Sequence, residues 1–292
     1  MCTVLFRFSP GRAWPVLLCA VRDEFLDRSW RPPGRHWDGP YRHLHGPLDE
    51  TAGGTWLAVD PARPAVAVLV NGDEPGPGND GCDAGGGQTR GRLPLRALVP
   101  GTPLDSGELT GTRGFHLLLA EPAQATVWGW DTERLVRHRV EPGDHTLSFH
   151  GLDVAEPPRV PHVRALLAAT PSPAPAPGTG TADAWGDWLD LLAAGGVGVG
   201  DPRSLLQRRQ LDGRRYGSTS ASLVALGPGG VRHDFTGEPF RQDSWYESGP
   251  GRPAAPTGRT DPTGRSPALD GDPRRPRESR RRRRPGGDRH AR

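Results

Sequence analysis

The chain has 292 residues, with 41 Gly, 33 Pro and 37 cationic side chains, every one of which is Arg. Ten of these Arg stand in residues 271–292 beside three acidic residues, so this segment carries a net charge of +7. Because the whole chain carries only +3, the remainder is mildly acidic, which excludes a nucleic-acid-binding domain there. Three cysteines without metal-binding spacing predict a reduced, cytoplasmic protein. The apolar runs are too short for a secretion signal or a membrane span, so we expect neither.

The first predicted element is a β-hairpin. The run CTVLFRF alternates with the period of a strand, SPGR predicts a turn, and WPVLLCAV predicts the returning strand. A turn centred near Gly11 pairs Phe8 with Trp14 and Cys2 with Ala20.

Three charged residues, Arg22, Asp23 and Glu24, follow the returning strand. In the predicted register Arg22 and Asp23 extend beyond Cys2 by about 7–10 Å, which a side chain can cover. They equally fit a solvated strand end, where charges contribute little to stability.

The rest of the chain predicts an α+β fold with helices packed on sheets. GGTWLAV and AVAVLVN predict a second hairpin that ends at Asn71, and YGSTSASLVALGPGGVRHDF predicts the last one. Between them we predict a long loop over 72–92, strands over 115–121, 125–131 and 133–140, and helices over 160–169 and 182–196. Residues 1–247 form one predicted domain, and residues 248–292 form a disordered tail rich in Pro, Gly and Arg. This tail is expected to bind anionic partners without specificity.

Several weaker motifs admit alternatives. GPGNDG at 76–81 fits a nucleotide-binding pattern, but Pro77 and the following glycines cannot open a helix. His43 and His45 fit either a metal or haem site or ordinary solvated histidines. Trp128 and Trp130 fit either an apolar pocket or the core. We therefore expect no metal and no cofactor.

Four features in register resemble the NRDE family, which includes the transport and Golgi organisation 2 group. They are Cys2, Arg22-Asp23-Glu24-Phe25 ahead of Arg28, Gly53-Gly54-Thr55-Trp56, and Tyr216-Gly217 at the start of the last hairpin. The resemblance covers residues 1–247. It implies the four-layer αββα sandwich of N-terminal-nucleophile hydrolases.

The candidate nucleophile is Cys2. A small second residue favours removal of Met1, and the freed α-amine has a reference pKa of about 7.7–8.0, so it can take the thiol proton near neutral pH. Arg22 favours the thiolate, and Asp23 can hold the ammonium. The alternative is that Cys2 is a small apolar residue at the start of a strand.

Asn71 matches an Asn at the corresponding strand end of the family, and in the hydrolases such an amide donates to an oxyanion. Asn-Gly is also a common turn dipeptide, so Asn71 fits a purely structural role as well.

The chain departs from the family pattern at three places: Val21 replaces the first Asn, Phe149 replaces a polar residue, and Ser218-Thr219 replaces an Arg after Tyr-Gly. Loss of one oxyanion donor costs about 10²–10³ in rate. Two functions with a small-molecule substrate or ligand therefore stay open. One is an amide hydrolase with an altered site, and the other is a non-catalytic module that binds or traffics haem, an acyl group or another hydrophobic metabolite.

Overall fold

The computed structural model describes residues 2–72 and 89–249, apart from 103, 177 and 228. Most of the predicted 72–92 loop, the GPGNDG motif, Cys82 and residues 250–292 of the predicted tail lie outside the described residues. The described part is a mixed α+β structure, built mainly of antiparallel sheets with a few short helices.

The strands are β1 Thr3–Phe8, β2 Val16–Phe25, β3 Trp30–Gly34, β4 Gly46–Asp49, β5 Leu57–Asp60, β6 Ala65–Asn71, β7 Phe115–Glu121, β8 Gln124–Trp130, β9 Leu135–Arg139, β10 Gly143–Ser148, β11 Gly151–Leu152, β12 Arg208–Leu211, β13 Arg214–Gly227, β14 Gly230–Thr236 and β15 Tyr246–Ser248. The α-helices are α1 Leu93–Ala97, α2 Arg159–Ala169 and α3 Thr181–Trp185.

The larger sheet has eight strands in the order β11-β10-β1-β2-β13-β14-β15, with β12 paired to β13. The smaller sheet has five strands in the order β5-β6-β7-β8-β9, and β3 and β4 form a separate ribbon. The N-terminal strand β1 is therefore an interior strand of the larger sheet.

The two sheets share an apolar core. On β1 and β2 the even-numbered side chains, such as Val4 and Leu18, pack in one cluster with Val68 of β6. The odd-numbered side chains, such as Leu5, pack on the opposite face with α2 and with Trp185 of α3. Helix α1 packs on the smaller sheet. This segregation follows from the two-residue period of a strand.

The predicted register of the first hairpin is wrong. Phe8 pairs with Val16 rather than Trp14, and Val4 rather than Cys2 pairs with Ala20. The reason is a longer turn, which a hydrogen bond from the Ser9 N–H to the Pro15 carbonyl closes at 2.7 Å. Strand β2 therefore starts two residues later than predicted.

Strand β2 also continues further than predicted. Arg22 and Asp23 are both 4% exposed, and they pair with Ser220 and Ser218 of β13. The solvated strand end is therefore ruled out. The pairing of Thr3 with Val21 brings the charged residues next to Cys2.

The second and last hairpins, the three middle strands and the helix over 160–169 are confirmed, with small shifts of their ends. The predicted helix over 182–196 is wrong: α3 ends at Trp185 because Gly186 has a φ of +49°, and short 3-10 turns follow. The sequence reading missed β3, β4, β10, β11, β12, β15 and α1. Strand β10 (GDHTLS) lacks an apolar row, since Leu147 is the one apolar residue among its four buried side chains, beside His145, Thr146 and Ser148. Within the described residues, no helix combines the length and apolarity needed to cross a bilayer.

Candidate active site

The Cys2 thiol lies where the N-terminal strand meets the core between the two sheets. It is half-buried and packs against that core immediately before β1. Its Sγ donates a hydrogen bond to the Asp23 carbonyl oxygen at 3.7 Å. The Tyr216 hydroxyl donates to the same oxygen at 3.0 Å. Asp23 therefore meets the thiol through its main chain.

The surroundings of Cys2 favour the neutral thiol. Burial raises the pKa of the Cys2 thiol, the carboxylate of Asp23 adds to this rise, and the guanidinium of Arg22 opposes it. Because the thiol keeps its proton near neutral pH, any nucleophilic attack by Cys2 needs a base close to the sulfur.

The Asp23 carboxylate is on the opposite face of β2, toward α2. It accepts a hydrogen bond from the Ser218 hydroxyl at 2.5 Å. Arg159, at the start of α2, is 4% exposed, and its Nε donates to the Thr3 hydroxyl at 3.0 Å. The charge of Asp23 acts on Arg159 and stabilises its cationic form.

Arg22 points to the other face, as expected for consecutive residues of a strand. Its guanidinium donates to the Thr219 hydroxyl at 3.0 Å and to the Asp49 carboxylate at 3.1 Å, and it lies 4.3 Å from the centroid of the Trp56 ring. Asp49 also accepts from the Nε of Arg28 at 2.7 Å. Burial acts to raise the pKa of Asp49, but the bond from Arg28 and the charge of Arg22 hold it below its ordinary value. The Arg22 side chain is therefore firmly oriented.

A β-bulge explains how the altered residues of the last hairpin reach the site. The register of β13 against β2 shifts between Ser218 and Ser220, so Thr219 is an extra residue. As a result the hydroxyls of Ser218 and Thr219 reach Asp23 and Arg22, which face opposite ways. Both residues of the Ser218-Thr219 departure from the family pattern thus contact the predicted site residues.

Asn71 ends β6, where it is half-buried and pairs with Phe115. Its neighbour Val70 faces the core between the sheets, so alternation directs Asn71 to the other face. Within the described residues, no hydrogen bond joins Asn71 to Cys2, Arg22 or Asp23. The structure thus brings three of the four predicted site residues together.

Sequence reasoning missed Arg159, which is 136 positions from Asp23 along the chain. No local pattern marks it, because it reaches the site only through the packing of α2 on the larger sheet. Tyr216 was visible as part of a motif, but its hydrogen bond to Asp23 depends on the strand register.

The other predicted candidates contribute to packing. His45 is buried and bonds the Ser248 hydroxyl, while His43 lies 3.5 Å from Asp60. Trp128 and Trp130 pack in one cluster of the smaller sheet. Across the residues that the structure describes, no three His, Cys, Asp or Glu side chains form a group that could hold a metal.

The model of the family described as transport and Golgi organisation 2 matches residues 1–173. The chain belongs to this family. The matched segment includes Cys2, Arg22, Asp23 and Asn71, and it ends before the hairpin that supplies Tyr216. This match confirms the resemblance to the family that the sequence motifs indicated. A comparison with curated proteins finds no match.

Proposed function

We propose that this member of the transport and Golgi organisation 2 family is an amide hydrolase with Cys2 as its N-terminal nucleophile. The observation that carries the proposal is the half-buried Cys2 thiol, 3.7 Å from the Asp23 carbonyl, at the start of an interior strand. Buried Arg22 and Asp23 follow it on the neighbouring strand.

The packing of the helices on the two sheets supports the proposed hydrolase fold. Two sheets share one core, α2 and α3 pack on the outer face of the larger sheet, and α1 packs on the smaller sheet. We infer from this order the four-layer αββα sandwich of N-terminal-nucleophile hydrolases. A fold of this kind does not determine the reaction, so the proposed activity depends on the residues of the site.

The proposed reaction starts after removal of Met1. The α-amine of Cys2 takes the thiol proton, and the sulfur attacks the amide carbonyl carbon to form a tetrahedral oxyanion. The carbon–nitrogen bond then breaks, the α-ammonium returns its proton to the leaving amine, and a thioester remains on Cys2. Water, deprotonated by the same amine, attacks the thioester, and the carboxylic acid leaves as the thiol is restored.

Three side chains have proposed supporting roles. The Asp23 carboxylate holds the α-ammonium, and the positive charge of Arg22 lowers the energy of the thiolate that forms during attack. The oxyanion role of Asn71 stays a prediction. The cytoplasmic location likewise stays a prediction from the cysteine count.

Intact-mass analysis of the purified chain tests the proposal. We expect loss of Met1 and, with an activated ester as acylating reagent, one adduct on Cys2. The Cys2→Ala variant should lose the adduct, and the Cys82→Ser variant should keep it. Cys19 should stay unlabelled because burial raises its pKa to about 12. Retention of Met1, or equal labelling of Cys2 and Cys82, would contradict a catalytic amino terminus.

A second function, binding of an acyl group or haem without turnover, is favoured by the apolar surroundings of Cys2. Half-buried Trp56, Phe149 and Leu152 pack against the same core as the thiol. Titration with haem, followed by absorbance, and with a fluorescent fatty acid should then saturate at one equivalent in both wild type and Cys2→Ala. Absence of saturable binding of either ligand counts against this function.

A further inference from the structure

Arg209 is connected to the Cys2 thiol through the Tyr216 ring and the Asp23 carbonyl oxygen. It is an exposed residue of β12 that pairs with Tyr216 of β13, and its guanidinium carbon lies 4.9 Å from the centroid of the Tyr216 ring. The hydroxyl of that ring donates to the Asp23 carbonyl oxygen, which also accepts from the Cys2 thiol. Arg209 thus borders the candidate active site.

The guanidinium of Arg209 is held by the Tyr216 ring. Stacking on Tyr216 orients it and leaves its N–H donors directed to the surroundings. Throughout the ranges that the structure describes, no carboxylate forms an ion pair with Arg209. An oriented, unneutralised guanidinium is well suited to bind a planar anion through two parallel hydrogen bonds.

Arg159 adds a second positive charge on the same side of the site. Burial lowers the pKa of Arg159, the charge of Asp23 opposes this, and the charge of Arg209 lowers the pKa further, so the two cations act on each other unfavourably. Arg159 also occupies the first turn of α2, where the helix dipole disfavours a cation. The charge of Asp23 compensates Arg159 in part, and an anion bound by Arg209 would also offset the repulsion between the two cations.

We propose that Arg209, assisted by the charge of Arg159, forms an anion subsite beside Cys2, and that the substrate is an amide that carries a carboxylate. The part that concerns turnover rests on the proposed hydrolase function. The part that concerns binding rests only on the geometry of Arg209, Tyr216 and Arg159.

Arg214 provides a matched control on the same strand pair. Its guanidinium carbon lies 3.9 Å from the centroid of the Phe25 ring, so it stacks as Arg209 does. It differs because it forms an ion pair with Asp27 at 2.8 Å. Replacing Arg214 removes a similar surface charge without removing the proposed subsite.

Calorimetric titration of the full chain with N-octanoylglycine and with its uncharged glycinamide counterpart tests the subsite. We expect the carboxylate to bind about tenfold more tightly. The preference should vanish in Arg209→Gln, persist in Arg214→Gln, and shrink as salt is raised. Equal affinity for the two ligands, absence of saturable binding, or equal loss in both variants would overturn the subsite.

Release of glycine or glycinamide, measured on the same samples, separates the two proposals. A carboxylate preference in binding without release keeps the subsite and rejects the hydrolase. Release from both ligands with equal kcat/KM keeps the hydrolase and rejects the subsite.

Discussion

Lowering the pH from 7 to 5 is expected to destabilise the protein through two buried histidines. His45 and His233 are 5% and 2% exposed, and their rings meet edge to face with centroids 6.1 Å apart. The Nε2 atoms bond the hydroxyls of Ser248 and Ser222 at 2.8 and 3.1 Å. Each Nδ1 is buried, and neither has a hydrogen-bond partner among the residues that the structure describes. Protonation of either ring would therefore bury a positive charge whose Nδ1–H has no hydrogen-bond acceptor among the described residues.

The size of the effect follows from the pKa values. Burial, with smaller contributions from the charges of His36 and Arg35, lowers the pKa of His45 to about 4. Burial, together with the charge of His45, lowers the pKa of His233 to about 3. In the unfolded chain both groups have a pKa of about 6.5, so below that pH the unfolded state binds more protons. The stability is therefore complete above pH 6.5 and falls as the pH approaches the folded-state values.

At pH 5 each histidine should cost about 2 kcal/mol relative to pH 7, or about 4 kcal/mol for the pair. This is a large share of the 5–15 kcal/mol that is typical of a domain. His145 acts in the opposite direction. Although burial alone would lower its pKa, bonds to Asp153 and to the Glu141 carbonyl raise it. Its stabilising contribution is therefore present at pH 5 and is lost as the pH rises.

Urea unfolding followed by tryptophan fluorescence at pH 5, 6 and 7 measures the effect. His233→Phe should lose about half of the pH dependence, while its absolute stability also falls with the bond to Ser222. His138→Gln, on the exposed edge strand β9, is the control and should keep the full pH dependence. A change of less than about 1 kcal/mol in the wild-type free energy of unfolding between pH 7 and pH 5, or a His233→Phe variant with the wild-type pH dependence, would refute the role of the two histidines.

Three substitutions test the packing around the site by the same unfolding measurement. Asp49→Asn should cost about 3 kcal/mol because it weakens the compensation of the buried Arg22 and the half-buried Arg28, whereas Glu50→Gln, in an exposed pair, should cost under about 1 kcal/mol. Equal losses would contradict this. Gly54→Ala should cost about 1–3 kcal/mol because a Cβ would lie 2.3 Å from the Gly91 carbonyl oxygen. Gly200→Ala is the control, since a Cβ there meets open space. An unchanged free energy of unfolding in Gly54→Ala would contradict this. Asp234→Asn should cost about 3–5 kcal/mol, since this fully buried carboxylate accepts from Arg232, Thr181 and Trp185, and a loss below 1 kcal/mol would count against the network.

Local patterns predicted the strands that have one apolar face. The alternation of residues 2–8 and the two long hairpins survive in the structure because each strand buries one row of side chains. The same rule failed for β10, where three of the four buried side chains are polar, and for the segment after Trp185, where a glycine with positive φ interrupts the helix.

The candidate site was only partly predictable. Cys2 and the charged residues after the second strand were visible as motifs, and their proximity follows once the strands pair. The predicted register was two residues off, because the hydrogen bond that closes the turn at Pro15 is not encoded by the turn dipeptide alone. The positions of Arg159 and Arg209 were not predictable at all.

Sequence by itself determined the family, the N-terminal hairpin and the choice of Cys2 as candidate nucleophile, because these depend on residues close together along the chain. Only the tertiary structure decided which side chains surround the thiol. The bulge at Thr219 directs two hydroxyls to opposite faces, and the docking of α2 buries Arg159 beside Thr3. Such contacts join distant segments, and their geometry follows from the packing of whole sheets and helices rather than from any local preference of the chain.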